Sequence, residues 1–285
     1  MKNVFIWLIA IIITLTAVVY QRMTGPTNPV KTSFKLESTH YSAKFPRSLE
    51  TLVSLNDLDK GGKTSKLKVE LEPSQSDISL FILFRRYPGD DSLTTIEAVN
   101  NEGAYFVKMP SQPPAGKIIY YPLFVKGDNK VMPENKNGII LRFKAPVSAK
   151  ILIPHILCMF IAMFFSNFVG IISFFNVSKA GKYAIVTIIT LIAGGLIFGP
   201  LVQKAAFGSY WTGWPFGSDL TDTKTFIAVI VWIVAWFLNS NSKKIKCRRY
   251  FYVFAAVVTL LIYTIPHSTA GSEFNYETGV VITGS

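Results

Sequence analysis

Two imidazoles are the side chains with the clearest capacity for chemistry. Of three histidines in the chain, His155 and His267 each follow a proline in an otherwise apolar stretch, Ile153-Pro154-His155-Ile156-Leu157-Cys158-Met159 and Ile265-Pro266-His267-Ser268. Ionisable residues inside membrane-spanning runs are rare, and they face a bundle interior or a water-filled cavity. Each ring offers a nitrogen ligand, so a pair on separate helices can hold a haem iron axially or start a transition-metal site. Cys158, three residues after His155 and on the same helical face, can add a soft third ligand, with Met159 or Met163 nearby. The competing reading is that each histidine hydrogen-bonds a neighbour, such as Ser268 or a loop carbonyl, and serves packing.

A second concentration of unusual residues lies at 199–225, GPLVQKAAFGSYWTGWPFGSDLTDTKT. Tyr210, Trp211, Trp214 and Phe216 suit an interfacial aromatic belt. Gly213, Pro215 and Gly217 among them impose a defined turn path, which a plain belt does not require. Residues 201–207 can continue the preceding helix before Gly208. Gly195 and Gly199, one helical turn apart, permit close helix approach. Asp219 and Asp222, just ahead of an apolar run, can accept hydrogen bonds from the free amides of a first helical turn. If one of them caps, the other is free to face a cavity, where it can bind a cation or orient a histidine.

The elements that must position these residues follow from hydropathy. Half of the 285 residues are hydrophobic and 14% are aromatic, too apolar a balance for a soluble chain of this size. Apolar runs at 4–20, 151–175, 183–199, 226–238 and 251–265 predict five transmembrane helices, the last two needing polar flanks to reach spanning length. The first is longer than a signal-peptide core and no A-x-A-like site follows, so it reads as an uncleaved anchor. Lys179 and Lys182 lie in one connection, and Lys243, Lys244, Lys246, Arg248 and Arg249 in another. The loop at 200–225 balances Lys204 and Lys224 with Asp219 and Asp222, and the tail carries Glu273 and Glu277 without a cation. Positive-inside counting therefore places the N-terminus in the cytoplasm and the loop and tail outside. Cys158 and Cys247 fall in a span and a basic loop, so no disulfide framework is expected.

Residues 33–147 have a different texture. Short β-branched or alternating segments at 33–37, 66–72, 78–86, 94–99, 104–109, 117–125 and 138–143 are separated by turn-rich stretches such as Pro88-Gly89-Asp90-Asp91. That pattern predicts an exported all-β sandwich. His40 has no evident partner in it, and Arg85-Arg86 with Asp90-Asp91 reads as a solvated hairpin end. The net charge of +12 is spread over this domain and the short loops without a basic helix, which argues against nucleic acid. The organisation expected is an anchor at 1–20, a linker at 21–32, the sandwich at 33–147, a four-helix membrane domain at 148–267 and an external tail at 268–285.

Two resemblances accompany this reading. The stretch Gly103-Ala104-Tyr105-Phe106-Val107-Lys108-Met109-Pro110, with Gln112-Pro113, Gly116 and Ile118-Ile119-Tyr120-Tyr121, resembles the later strands of immunoglobulin-like or fibronectin-III-like domains. The WTGxPFGxDLTDxK pattern from Trp211 to Lys224, with Ile265-Pro266-His267-Ser268 and Gly271-Ser272-Glu273, resembles bacterial inner-membrane proteins without an assigned activity. The expected site is an external polar pocket built from His155, His267, Cys158, Trp211, Trp214, Asp219, Asp222, Lys224, Ser268 and Glu273. Its leading use is binding haem or a transition metal for electron transfer or for handling a redox partner. The alternative is a non-catalytic scaffold or assembly factor in the bilayer whose sandwich binds a periplasmic or membrane protein. No protease, serine-nucleophile or phosphate-loop motif points to an enzyme.

Overall fold

The computed structural model describes residues 2–55, 62–101, 103–133, 137–241, 245–266 and 271–283. The first apolar run forms α1 (Lys2–Thr24), and the chain then enters a β domain. One of its sheets has β1 (Val30–Leu36), β2 (Thr39–Phe45), β4 (Thr64–Glu72), β7 (Val99–Asn101) and β8 (Ala104–Pro110), in the order β1-β2-β4-β8-β7. The other has β3 (Ser48–Glu50), β5 (Ser79–Tyr87), β6 (Thr94–Glu97), β9 (Lys117–Lys126) and β11 (Ile139–Lys144), in the order β3-β11-β9-β5-β6, with β10 (Asn129–Val131) paired to β9. All pairings are antiparallel except β3 with β11.

Alternation explains the layers. In β4, Ser65, Leu67, Val69 and Leu71 are buried while the lysines and glutamates between them face outward. Leu67, Val69 and Tyr105 of the first sheet share one core with Ile82, Tyr120 and Phe124 of the second. Of the three tyrosines in this core, Tyr105 donates to Ile78 O at 2.9 Å and Tyr120 to Pro46 O at 2.7 Å, while the buried Tyr41 hydroxyl has no hydrogen-bond partner among the described residues. Six of the expected strands lie within three residues of observed ones at either end. The segment at 94–99 divides instead, because β6 and β7 join different sheets, with Ala98 N bonded to Leu80 O between them. β2, β3 and β10 were not foreseen. In β2 the buried set is Tyr41, Ala43 and Phe45, too small and too mixed with Ser42 and Lys44 to stand out as a strand.

The helical part comprises α2 (Ala149–Ile172), α3 (Val177–Leu191), a π-helical segment (Ile192–Phe198), α4 (Gly199–Phe207), α5 (Leu220–Asn241) and α6 (Ile245–Thr264). Strands β12 (Ser272–Phe274) and β13 (Val281–Thr283) pair in the tail. Four helical stretches are long and apolar enough to cross a membrane, namely Val4–Thr24, Ala149–Ile172, Val177–Phe207 and Leu220–Ser240, and Arg249–Thr264 is a shorter apolar helix. The chain is therefore a multi-pass membrane protein. Its first helix is no isolated anchor: Trp7 packs on Phe168 with ring centroids 4.1 Å apart, and Asn167 donates to Thr14 at 3.0 Å in the bundle interior. Trp232, Tyr252, Phe168 and Ala10 belong to one core between the helices. The side chains of Gln21 and Lys224 donate to Tyr263 O and Ile265 O at 2.7 Å each, supplying donors to carbonyls that the end of α6 leaves open.

The β domain is fastened to the bundle at two places. Ala145 N bonds Ala206 O at 2.9 Å, joining the exit of β11 to α4. The tail then docks on the β domain: Phe274 N bonds Ala115 O at 3.1 Å, and Glu273 forms an ion pair with Lys117 in which both side chains are largely buried. Tyr276 closes the strap, its hydroxyl accepting from Lys117 N at 3.1 Å and lying 3.0 Å from Gln112 Oε1, with Arg86 stacked over its ring. Burial above all pushes the Tyr276 phenol up from 10.0 to about 12. The docked tail thus favours the protonated phenol, and that contribution is full below pH 10 and is lost as pH rises toward about 12. Alkaline titration should undock the tail across this window, read as proteolytic cleavage near the C-terminus, and Tyr276→Phe should remove that step.

Candidate functional site

The loop between α4 and α5 is built around two carboxylates. Gly208, with φ of 90°, ends α4 in the left-handed conformation that glycine tolerates best. Asp219 caps α5: its Oδ1 accepts from Thr221 N at 2.8 Å, and its carbonyl accepts from Thr223 N at 3.1 Å and from the Thr223 hydroxyl at 2.8 Å. Asp222, one turn into the helix, reaches back to the loop, where Oδ2 accepts from Thr212 N at 2.8 Å and Gly213 N at 3.1 Å. Thr212 links the pair, donating its hydroxyl to Asp219 Oδ2 at 3.0 Å while accepting from Gln203 Nε2 at 2.6 Å. A Cβ on Gly213 would lie 2.4 Å from Asp222 Cβ, so the backbone can pass there only without a side chain.

The histidine belongs to the neighbouring wall. His155 Nδ1 lies 2.9 Å from Gly194 O, which also accepts the i+5 amide of Gly199 in the π segment. A carbonyl can only accept, so Nδ1 carries the proton and the neutral ring keeps its lone pair on Nε2. Gly194 and Gly195 create the contact with α2 and α5: a Cβ on Gly194 would lie 2.8 Å from Cys158 Cβ, and one on Gly195 2.4 Å from Thr225 Cγ2. The close pair is thus Gly194 and Gly195. Gly199, expected to share that role with Gly195, meets nothing nearer than 3.4 Å. His155, Gln203, Asp219, Asp222 and Ser272 line a cavity of about 130 Å³.

The other expected members distribute as follows. Cys158 is a free thiol packed on the Gly194 face. Lys224 is buried and committed to the end of α6. Trp211 donates to Trp214 O at 3.2 Å, and both rings approach Phe226. Glu273 is held by Lys117 of the β domain. His267 and Ser268 lie outside the described residues. Among the described residues no three His, Cys, Asp or Glu side chains are grouped so as to hold a metal. Gln203, Thr212 and Ser272 were not anticipated, since amides and hydroxyls carry no spacing signal.

A larger chamber, of about 630 Å³, lies between the bundle and the β domain. Arg142 and Lys144 of β11 and Arg22 of α1 face Leu152, Val202 and Phe207 of α2 and α4 across it. It shares Val202, Phe207, Gly271 and Ser272 with the smaller cavity, so the two abut. The Arg142 guanidinium is pushed down by burial and by the neighbouring Arg47, and Nη1 donates to Pro26 O at 3.3 Å. Comparison of the chain with protein-family models, with curated proteins and with solved structures finds no match.

Removing the Asp222 carboxylate leaves two backbone N–H groups of a buried turn without an acceptor. Asp222→Ala should therefore cost about 2–3 kcal/mol, against about 1 kcal/mol for the cap lost in Asp219→Ala. Gly213→Ala should match the larger loss. Thermal denaturation of the detergent-purified variants reads the order.

Proposed function

We propose that this chain is a binding protein of the bacterial inner-membrane type, which captures a ligand in the chamber enclosed jointly by its membrane bundle, its β domain and its tail. The observation carrying this reading is the chamber itself. Its volume falls within the range of about 300–1,000 Å³ usual for ligand sites, and its walls come from parts of the chain far apart in sequence. The tail strap and the Ala145–Ala206 bond hold those parts together, as a preorganised site requires.

In this reading the β domain is an exported immunoglobulin-like sandwich and the chain crosses the bilayer five times, with α6 lengthened by its polar flanks. Supporting it, the β domain joins the end of α1 to the start of α2, and α4, the start of α5 and the end of α6 all bond at that same end. Lys179 and Lys182 lie in the first two turns of α3, next to its connection with α2, as a cytoplasmic end would have. Phe216, Trp214 and Tyr210 are exposed by 84%, 58% and 57%, a belt suited to the headgroup layer of the outer leaflet.

The decisive experiment is native mass spectrometry of the protein extracted from membranes. A co-purifying small molecule is expected, and Leu152→Trp, which fills the chamber from the α2 wall, should expel it without lowering Tm. An empty wild-type protein, or occupancy indifferent to Leu152→Trp, refutes the chamber.

A second reading is favoured by one feature of the smaller cavity. His155 donates through Nδ1 to a carbonyl and keeps Nε2 basic, the arrangement by which protein frameworks orient a metal-binding or haem-binding histidine. Metal analysis and oxidised and reduced visible spectra decide it. Stoichiometric metal or a haem band lost in His155→Ala supports a redox role, and a colourless, metal-free protein ends it.

A further inference from the structure

The charge and apolarity of the chamber are segregated, and the segregation specifies a ligand. The β-domain wall brings Arg142 and Lys144, and the last turn of α1 brings Arg22. Lys117 also lines the chamber, but Glu273 neutralises it. Glu50 is the one carboxylate among the described lining residues. The opposite wall is hydrocarbon: Leu152, Val202, Ala206 and Phe207, from helix ends of the membrane bundle.

Arg142 is the informative residue. Its guanidinium is half-buried and repelled by Arg47, with Tyr87 and Glu273 opposing that repulsion, and among the described residues neither arginine forms an ion pair with a carboxylate. A partly desolvated guanidinium without an ion-pair partner is costly, and the carbonyl contact to Pro26 compensates only part of that cost. An oxyanion held by the guanidinium fork removes that cost, and arginine matches the geometry of a phosphate with two parallel hydrogen bonds. The hydrocarbon wall rules against a purely polar anion as the whole ligand, because a soluble ion would leave that surface facing water.

We infer that the chamber binds an anionic amphiphile, with a phosphate head group against Arg142, Lys144 and Arg22 and an acyl or prenyl chain along Leu152, Val202 and Phe207. This rests on the chamber being a ligand site, as proposed above. The phosphate could belong to a membrane lipid or to free phosphate, and the hydrocarbon wall favours the lipid.

The test is native mass spectrometry and fluorescence titration of the full-length protein with phosphatidylglycerol, with diacylglycerol, and with inorganic phosphate. Phosphatidylglycerol should bind at least about tenfold more tightly than diacylglycerol, which lacks the phosphate, since one charge-assisted arginine pair is worth about that factor. Inorganic phosphate should compete only weakly. Arg142→Gln should weaken phosphatidylglycerol about tenfold and leave diacylglycerol unchanged, and Arg142→Lys should recover part of the loss. Lys144→Gln, at an exposed position, should weaken it in the same direction. Equal binding of both lipids, indifferent to Arg142→Gln and Lys144→Gln but abolished by Leu152→Trp, overturns the phosphate assignment and leaves the chamber standing. Strong binding of inorganic phosphate alone overturns the amphiphile. Binding of none of the three, with a different molecule co-purifying and expelled by Leu152→Trp, also overturns the assignment. Binding of none, with nothing co-purifying, removes the chamber as well.

Discussion

The Asp222 carboxylate accepts two backbone amides from a turn placed where the membrane bundle meets its surroundings, and much of the site depends on that pair of bonds. Non-helical backbone beside a bilayer has little water available and must find partners within the protein. Asp222 supplies them, Asp219 caps the helix beneath, and the Thr212 hydroxyl ties the two carboxylates to Gln203 of α4. Thr212 also lies 3.4 Å from Ser272, the first residue of the tail strand. Through that strand the constraint extends to Lys117 and Ala115, so a turn at the membrane is continuous with the core-bearing strands of the β domain.

The π segment is the second place where ordinary helix geometry yields to the site. Its wider turn presents Gly194 O to both Gly199 N and His155 Nδ1, and its glycines let Cys158 and Thr225 approach within side-chain contact. Departures of this kind inside helices are frequent at functional positions. Here the departure lies on the floor of the smaller cavity, which abuts the larger one through Val202, Phe207, Gly271 and Ser272. A ligand in the upper chamber would therefore touch the same residues that enclose the histidine.

Much of this was legible in the residues themselves. Alternation in Lys66 to Glu72 and in Ile78 to Arg86 marked strands because one face of each is core, and the apolar runs marked helices because nothing else satisfies their backbone in lipid. Asp219 and Asp222 both read as candidate caps, and Asp219 is the one that caps. β2 and β3 escaped notice because their buried residues are few, and β3 pairs only with the sequence-distant β11 among the described residues. Arg142 and Arg22 were not anticipated as site residues, since a lone arginine at a strand or helix end looks like any solvated charge.

The sequence by itself determined the class of the protein: apolar spans, a β domain inserted between the first and second, and a glycine-rich aromatic loop with a carboxylate cap. Those are local properties, set by side-chain periodicity and backbone propensity over a few turns or strands. Only the tertiary structure decided that α1 joins the bundle core, that Asp222 serves the turn, that Glu273 is spent on Lys117, and that Arg142 faces hydrocarbon from α2 and α4 across a chamber. Each of these is a pairing between segments far apart along the chain, and no spacing in the sequence encodes which distant charge or carbonyl a buried polar group will find.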